Sequence, residues 1–110
     1  MNTDQQINGN AAKIAAINDE FRQNLTGCLM TKGVGRFAPF IGEIFEVVRS
    51  YTDFNEDNDP FGEHDFGSFE KFATKFFWKI DYYDQNLKGW CDPLSDQCRR
   101  QMTIMTAEEY

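Results

Sequence analysis

Between Ser50 and Glu70 the chain has no lysine or arginine. The same stretch holds seven carboxylates, Asp53, Glu56, Asp57, Asp59, Glu63, Asp65 and Glu70, so it alone carries the net charge of −7. Other features are scarce as well. The single histidine excludes the two-histidine helices of common metal hydrolases. Three cysteines, Cys28, Cys91 and Cys98, form no close pair of the metal-binding type, which suits a reducing cytoplasm. In an oxidising compartment Cys91 and Cys98 are the two that would bridge a loop. No run approaches the ~20 apolar residues that a membrane span needs. The first residues, MNTDQQINGNAAK, show neither the basic region nor the apolar run of a signal peptide. A cytoplasmic protein without membrane contact is expected. Gly 8 and Pro 3 are too few for a collagen-like or mucin-like chain.

What is present suits one globular core. In 110 residues, 41% are hydrophobic, 26% charged and 15% aromatic, and a chain of this length forms one domain without staples. Such an acidic protein is repelled by bare nucleic acid, so direct nucleic-acid binding is not expected. Residues 1–10 are polar and are expected to form a flexible N-terminus, with residues 11–110 as the single domain. Ala11, Ile14, Ala15, Ile17, Phe21 and Leu25 fall mostly three or four apart, which predicts an amphipathic helix ending at Thr26-Gly27. Cys28 to Thr31 reads as a short strand. A second helix is expected from Ala38-Pro39, with the stripe Phe40, Ile41, Ile44, Phe45, Val48 and Tyr51.

After a loop rich in Asn, Asp and Pro, strands are expected over 65–71 and 75–82. With Phe72-Ala73 as a two-residue turn, paired positions put Phe69 opposite Phe76, Gly67 opposite Trp78 and Glu70 opposite Lys75. The core face then carries Phe69, Phe76, Trp78 and Ile80, with Gly67 making room for the indole. Extended further, the register sets His64 opposite Asp81. Residues 100–106 alternate as a last strand. The reading is α+β, two helices packed on a small antiparallel sheet of about four strands in the order α-β-α-β-β-β.

Several groups of residues have chemical potential. Asp53, Asn55, Asp57 and Asp59 alternate like the first ligands of a calcium loop, but the twelfth position, which should be a bidentate glutamate, is His64. These four are a weak alternative metal site; no metal and no cofactor is the primary expectation. His64 with Asp65 and Asp81, near Glu63 and Asp84, is the alternative catalytic group for metal-dependent or acid–base chemistry. A structural histidine–aspartate hydrogen bond at the open end of the hairpin is the simpler reading. Gly33-Val34-Gly35 before a helix lacks the remaining residues of a phosphate-binding turn. Lys71, Lys75 and Lys79 interleave with Phe76, Phe77 and Trp78 like a single-strand-binding face, but those aromatics are better used as core.

The blocks Asp57-Asn58-Asp59-Pro60-Phe61-Gly62-Glu63-His64-Asp65-Phe66-Gly67, Phe77-Trp78-Lys79-Ile80-Asp81-Tyr82-Tyr83-Asp84 and Thr103-Ile104-Met105-Thr106-Ala107-Glu108-Glu109-Tyr110 resemble a proteobacterial family. It is the domain of unknown function catalogued as thirty-seven sixty-eight. The likeness covers nearly the whole chain and departs at Phe72-Ala73, where that family looks richer in Gly and polar residues. The resemblance brings no known activity. It implies short cytoplasmic proteins often carried on plasmids, prophages and integrative elements.

Two functions follow as expectations. The first is a small acidic, non-enzymatic binding module, of the kind of a mobile-element inhibitor of anti-CRISPR or anti-restriction type. It would present carboxylates to the basic groove of a host nucleic-acid-handling complex, through Phe54, Asp57, Asp59, Phe61, Glu63 and Asp65. The alternative is an enzyme centred on His64, Asp65 and Asp81. Monomer and dimer are both compatible with the sequence.

Overall fold

The computed structural model describes residues 3–110, with side chains from residue 9 onward. Helix α1 (Thr3–Asn24) leads into strand β1 (Cys28–Met30) and a single helical turn, α2 (Lys32–Gly35). A 3-10 turn (Ala38–Phe40), with Pro39 in its first positions, opens α3 (Ile41–Arg49). The hairpin β2 (Phe66–Lys71) and β3 (Thr74–Tyr83) follows, then β4 (Arg99–Thr106) and a closing 3-10 turn (Ala107–Glu109). The class is α+β, as the sequence indicates. Helix α1 starts at Thr3 rather than Ala11, because once a helix is nucleated each further polar residue adds one backbone hydrogen bond. The short α2, not expected from the sequence, occupies the Gly33-Val34-Gly35 segment.

The sheet order is β1-β4-β3-β2. It is mixed rather than antiparallel: β1 runs parallel to β4, pairing Cys28 with Met102 and Met30 with Ile104, while the other two pairings are antiparallel. A crossover through α2, α3 and the hairpin separates β1 from β4, and that is what lets them run parallel. In the hairpin, Phe69 meets Phe76, Gly67 meets Trp78 and Glu70 meets Lys75, the expected register.

Ile14 of α1, Val34 of α2, and Ile44 and Val48 of α3 meet Phe76, Trp78, Ile80, Tyr82, Met102 and Ile104 in one cluster. All three helices therefore cover the same sheet face. Alternation sends Phe77 to the other face. There it packs edge-on against Tyr110, with ring centroids 5.0 Å apart, while Tyr110 reaches Phe66 at 5.8 Å. Trp78 is fully buried. It fits because residue 67 has no side chain: a Cβ there would lie 2.7 Å from both Trp78 Cε2 and Tyr51 Cε1.

The Phe72-Ala73 turn has φ of +54° and +56°, the left-handed pair that closes a two-residue hairpin and that normally selects Asn-Gly. Phe72 recovers part of this cost by stacking on Phe37 at 5.7 Å and packing on Phe40 at 5.4 Å. Ala73 makes no such aromatic contact. Ala73→Gly is therefore expected to stabilise the fold by about 1 kcal/mol, and Gly67→Ala to destabilise it by about 2 kcal/mol through overpacking. Urea unfolding of both variants checks the opposite signs.

Candidate functional site

The acidic stretch joins α3 to β2 and is fixed from within. Asn55 Oδ1 accepts from the backbone N–H groups of Asp57 and Asn58 at 2.9 and 3.1 Å. Asn58 Nδ2 donates to the Asp53 carbonyl at 2.8 Å. Asp59 Oδ1 accepts from the N–H groups of Glu63 and His64 at 3.0 and 3.1 Å. Short polar side chains here replace backbone partners in turns. Of the alternating Asp53, Asn55, Asp57 and Asp59, the Asn55 and Asp59 side chains are thus spent on the loop's own backbone. No group of three or more His, Cys, Asp or Glu side chains among the described residues is placed to hold a metal ion.

His64 fastens the far end of the loop to α1. Its Nδ1 lies 2.9 Å from Asp19 Oδ1, its Nε2 lies 3.8 Å from Asp59 Oδ2, and its ring lies flat on Phe54 with centroids 3.9 Å apart. His64 makes a histidine–aspartate hydrogen bond, but the aspartate is Asp19 and not Asp81. The register cannot be extended to residue 64 because His64 has φ +56° and turns the chain before β2 begins. Only Asp65 stays in line, its carbonyl accepting from Ile80 N–H at 2.8 Å.

Behind His64 lies Arg22, only 2% exposed. Its Nη1 donates to Asp19 Oδ1 at 2.9 Å, its Nε to the Val48 carbonyl at 3.0 Å and its Nη2 to the Tyr51 carbonyl at 3.2 Å. The guanidinium also sits 5.2 Å from the Trp78 ring centre and 5.4 Å from that of Phe54. A second clamp is centred on fully buried Asn18. Asn18 Nδ2 donates to Tyr82 Oη at 2.8 Å and to the Glu63 carbonyl at 2.9 Å, and its Oδ1 accepts from Arg100 Nε at 2.6 Å. Tyr82 Oη donates in turn to Glu63 Oε1 at 2.9 Å.

The six expected contact residues therefore divide. Asp57 is exposed and Phe61 stands 79% exposed, while Glu63 and Asp65 are half-buried. Phe54 packs against the core and Asp59 is buried, so these two are corrected from contact surface to support. The expected catalytic trio is divided too. His64 lines a cavity of about 560 Å³ against Ala11, Ala12, Ala15 and Ala16 of α1. Asp65 and Asp81 line a different one of about 510 Å³, with Tyr83, Lys88 and Trp90.

Asp65 is strained electrostatically. Burial, then the neighbouring charges of Glu63, Asp59 and Asp81, raise its pKa from the ordinary 3.8 to about 6. Glu109 goes the opposite way. Hydrogen bonds from the Thr31 hydroxyl first, then from the N–H groups of Thr106 and Gly33, hold it down at about 2. That carboxylate occupies the Gly33 N–H at 2.9 Å.

Asn18, Asp19, Arg22, Tyr82 and Arg100 were not singled out from the sequence. The available signal was helical spacing: Asn18 and Arg22 continue the Ile14 row at intervals of four, so polar side chains fall on the buried stripe.

Three helices on one face of a mixed four-stranded sheet, with an acidic loop pinned to the first helix, define a small α+β protein. A family model described as protein of unknown function (DUF3768) matches residues 12–109, and the chain belongs to that family. No curated protein and no solved structure matches it. No helix among the described residues is long and apolar enough to cross a membrane.

Two variants test this arrangement. Arg22→Leu leaves Asp19 and two carbonyls without their buried donor, and should cost about 3 kcal/mol in urea unfolding. The folded state holds the Asp65 proton up to about pH 6, whereas the unfolded chain releases it near the ordinary 3.8. Stability from this group is thus present at low pH and lost as pH rises through about 6. Asp65→Asn should therefore raise the melting temperature at pH 7.5 relative to wild type, with the gain shrinking on acidification toward pH 4.

Proposed function

We propose that this protein is a non-enzymatic binding module that presents its acidic loop to a basic groove on a protein partner. A nucleic-acid-handling host complex, blocked by a mobile-element-encoded inhibitor, is the partner class this chemistry suits. The supporting observation is how the loop is held: its inner side chains are consumed by hydrogen bonds to the fold, and Asp53, Glu56, Asp57 and Phe61 are left outside. A preordered loop loses little entropy on binding. Its carboxylates steer a basic partner, and an exposed phenylalanine amid charge gives the contact an apolar anchor.

The half-buried Glu63 and Asp65 extend the same negative surface toward β2, whereas Asp59 and Phe54 act from behind it. The informative variant is therefore Asp53→Asn/Glu56→Gln/Asp57→Asn, which leaves every support untouched. Affinity capture from bacterial lysate, quantified by mass spectrometry, should recover a nucleic-acid-handling complex with the wild type. The triple variant should hold it at least about tenfold more weakly at low salt and show a flatter salt dependence. Equal capture by both proteins at every salt concentration would sink the reading.

A further inference from the structure

Asp65 of the acidic stretch lines a cavity shared with Asp81, Tyr82, Tyr83, Lys88 and Trp90. We propose that this cleft receives an arginine side chain of a polypeptide partner, laid on the Trp90 indole with its guanidinium directed at Asp65. That the partner is a protein rests on the binding reading above; the cleft itself is a separate contact.

Trp90 is 72% exposed, a large apolar surface left in water. It is not a loose loop tip. Trp90 forms a β-bridge with Tyr83, and the Cys91 N–H donates to the Tyr82 carbonyl at 3.4 Å. The turn before it is closed by Asp84, whose N–H donates to the Gly89 carbonyl at 2.8 Å and whose Oδ1 accepts from the N–H groups of Asn86 and Lys88 at 3.0 Å each. The indole is thus presented by an ordered frame.

Two carboxylates, Asp65 and Asp81, line the same cleft. Asp81 already has a cation, Lys79 Nζ at 3.1 Å from its Oδ2, but Asp65 has no ion-pair partner among the described residues. Lys88 lines the cleft and likewise makes no ion pair among the described residues. An entering cation therefore meets a carboxylate that lacks one. A guanidinium suits the place better than an ammonium, because its plane stacks on an indole while its edge donates to a carboxylate. With Trp90 this open, a free small molecule is held only weakly, in the millimolar range, whereas a side chain on a larger surface brings its own cover.

The test uses the full chain and N-acetyl-arginine amide as probe, read by the indole ¹⁵N–¹H resonances at pH 7.5. The Trp90 signal should shift saturably at millimolar probe while that of buried Trp78 stays. The neutral citrulline analogue should shift neither. Asp65→Asn, which keeps the fold, should weaken the response by about tenfold. The loop variant Asp53→Asn/Glu56→Gln/Asp57→Asn should leave it unchanged, so this cleft and the loop can fail separately. An equal shift with the citrulline analogue, or an undiminished shift in Asp65→Asn, overturns the proposal. So does a response lost in the loop variant.

Discussion

A buried guanidinium organises the half of this molecule that holds the acidic loop. Arg22 is cut off from water, a desolvation cost of several kcal/mol for a single charge. It is offset from three directions. Asp19 supplies the counter-charge one helical turn away, the Val48 and Tyr51 carbonyls supply acceptors at the C-terminal end of α3, and two aromatic faces supply their negative quadrupoles. The helix end matters, since unpaired carbonyls there carry the negative pole of the helix dipole. One side chain of α1 thereby fixes where α3 stops and where the acidic stretch departs.

The same contact explains how a stretch with seven carboxylates and no cation of its own stays ordered. Asp19, anchored by Arg22, accepts His64; His64 lies on Phe54 and beside Asp59; Asp59 holds two backbone N–H groups of the loop. The positive charge that the loop lacks is supplied by a helix about thirty residues earlier in the sequence. Asn18, one position from Asp19, does the parallel service for Glu63 and Tyr82. Helix α1 is thus as much a polar clamp as a hydrophobic one.

That dual use marks the limit of what the sequence discloses. Period-two alternation and the small Gly67 opposite Trp78 make the hairpin register legible even with Phe72-Ala73 at its turn, because the buried face constrains it more strongly than turn chemistry does. The α3 stripe is legible for the same reason, with Ile44, Val48 and Tyr51 buried as the spacing requires. On α1 the apolar rule fails locally: Ile17 is 41% exposed while Asn18 and Arg22 are buried. A buried polar side chain is stable only through its partners, and these come from α3, β3, β4 and the loop, far apart in sequence. Nothing local marks them. His64 fails as a strand residue for a related reason, since its left-handed backbone serves the clamp to α1 rather than the ladder.

The carboxylates of the acidic stretch consequently fall into unequal classes. Asp59 is consumed by the fold, and Asp53, Glu56 and Asp57 are left to solvent, where like charges repel only weakly across water and salt. Asp65 belongs to neither. It is half-buried beside Glu63 and Asp81, and its ionisation is opposed by both desolvation and repulsion. A fold shaped for stability alone would place a neutral side chain there, since an asparagine keeps the shape without the charge. Electrostatic strain of this kind concentrates where a protein meets something else, because an incoming cation removes the repulsion and gains what the folded state forfeits. Asp65 shares its cavity with the exposed Trp90, so the strained carboxylate and a large apolar surface left in water lie in the same place.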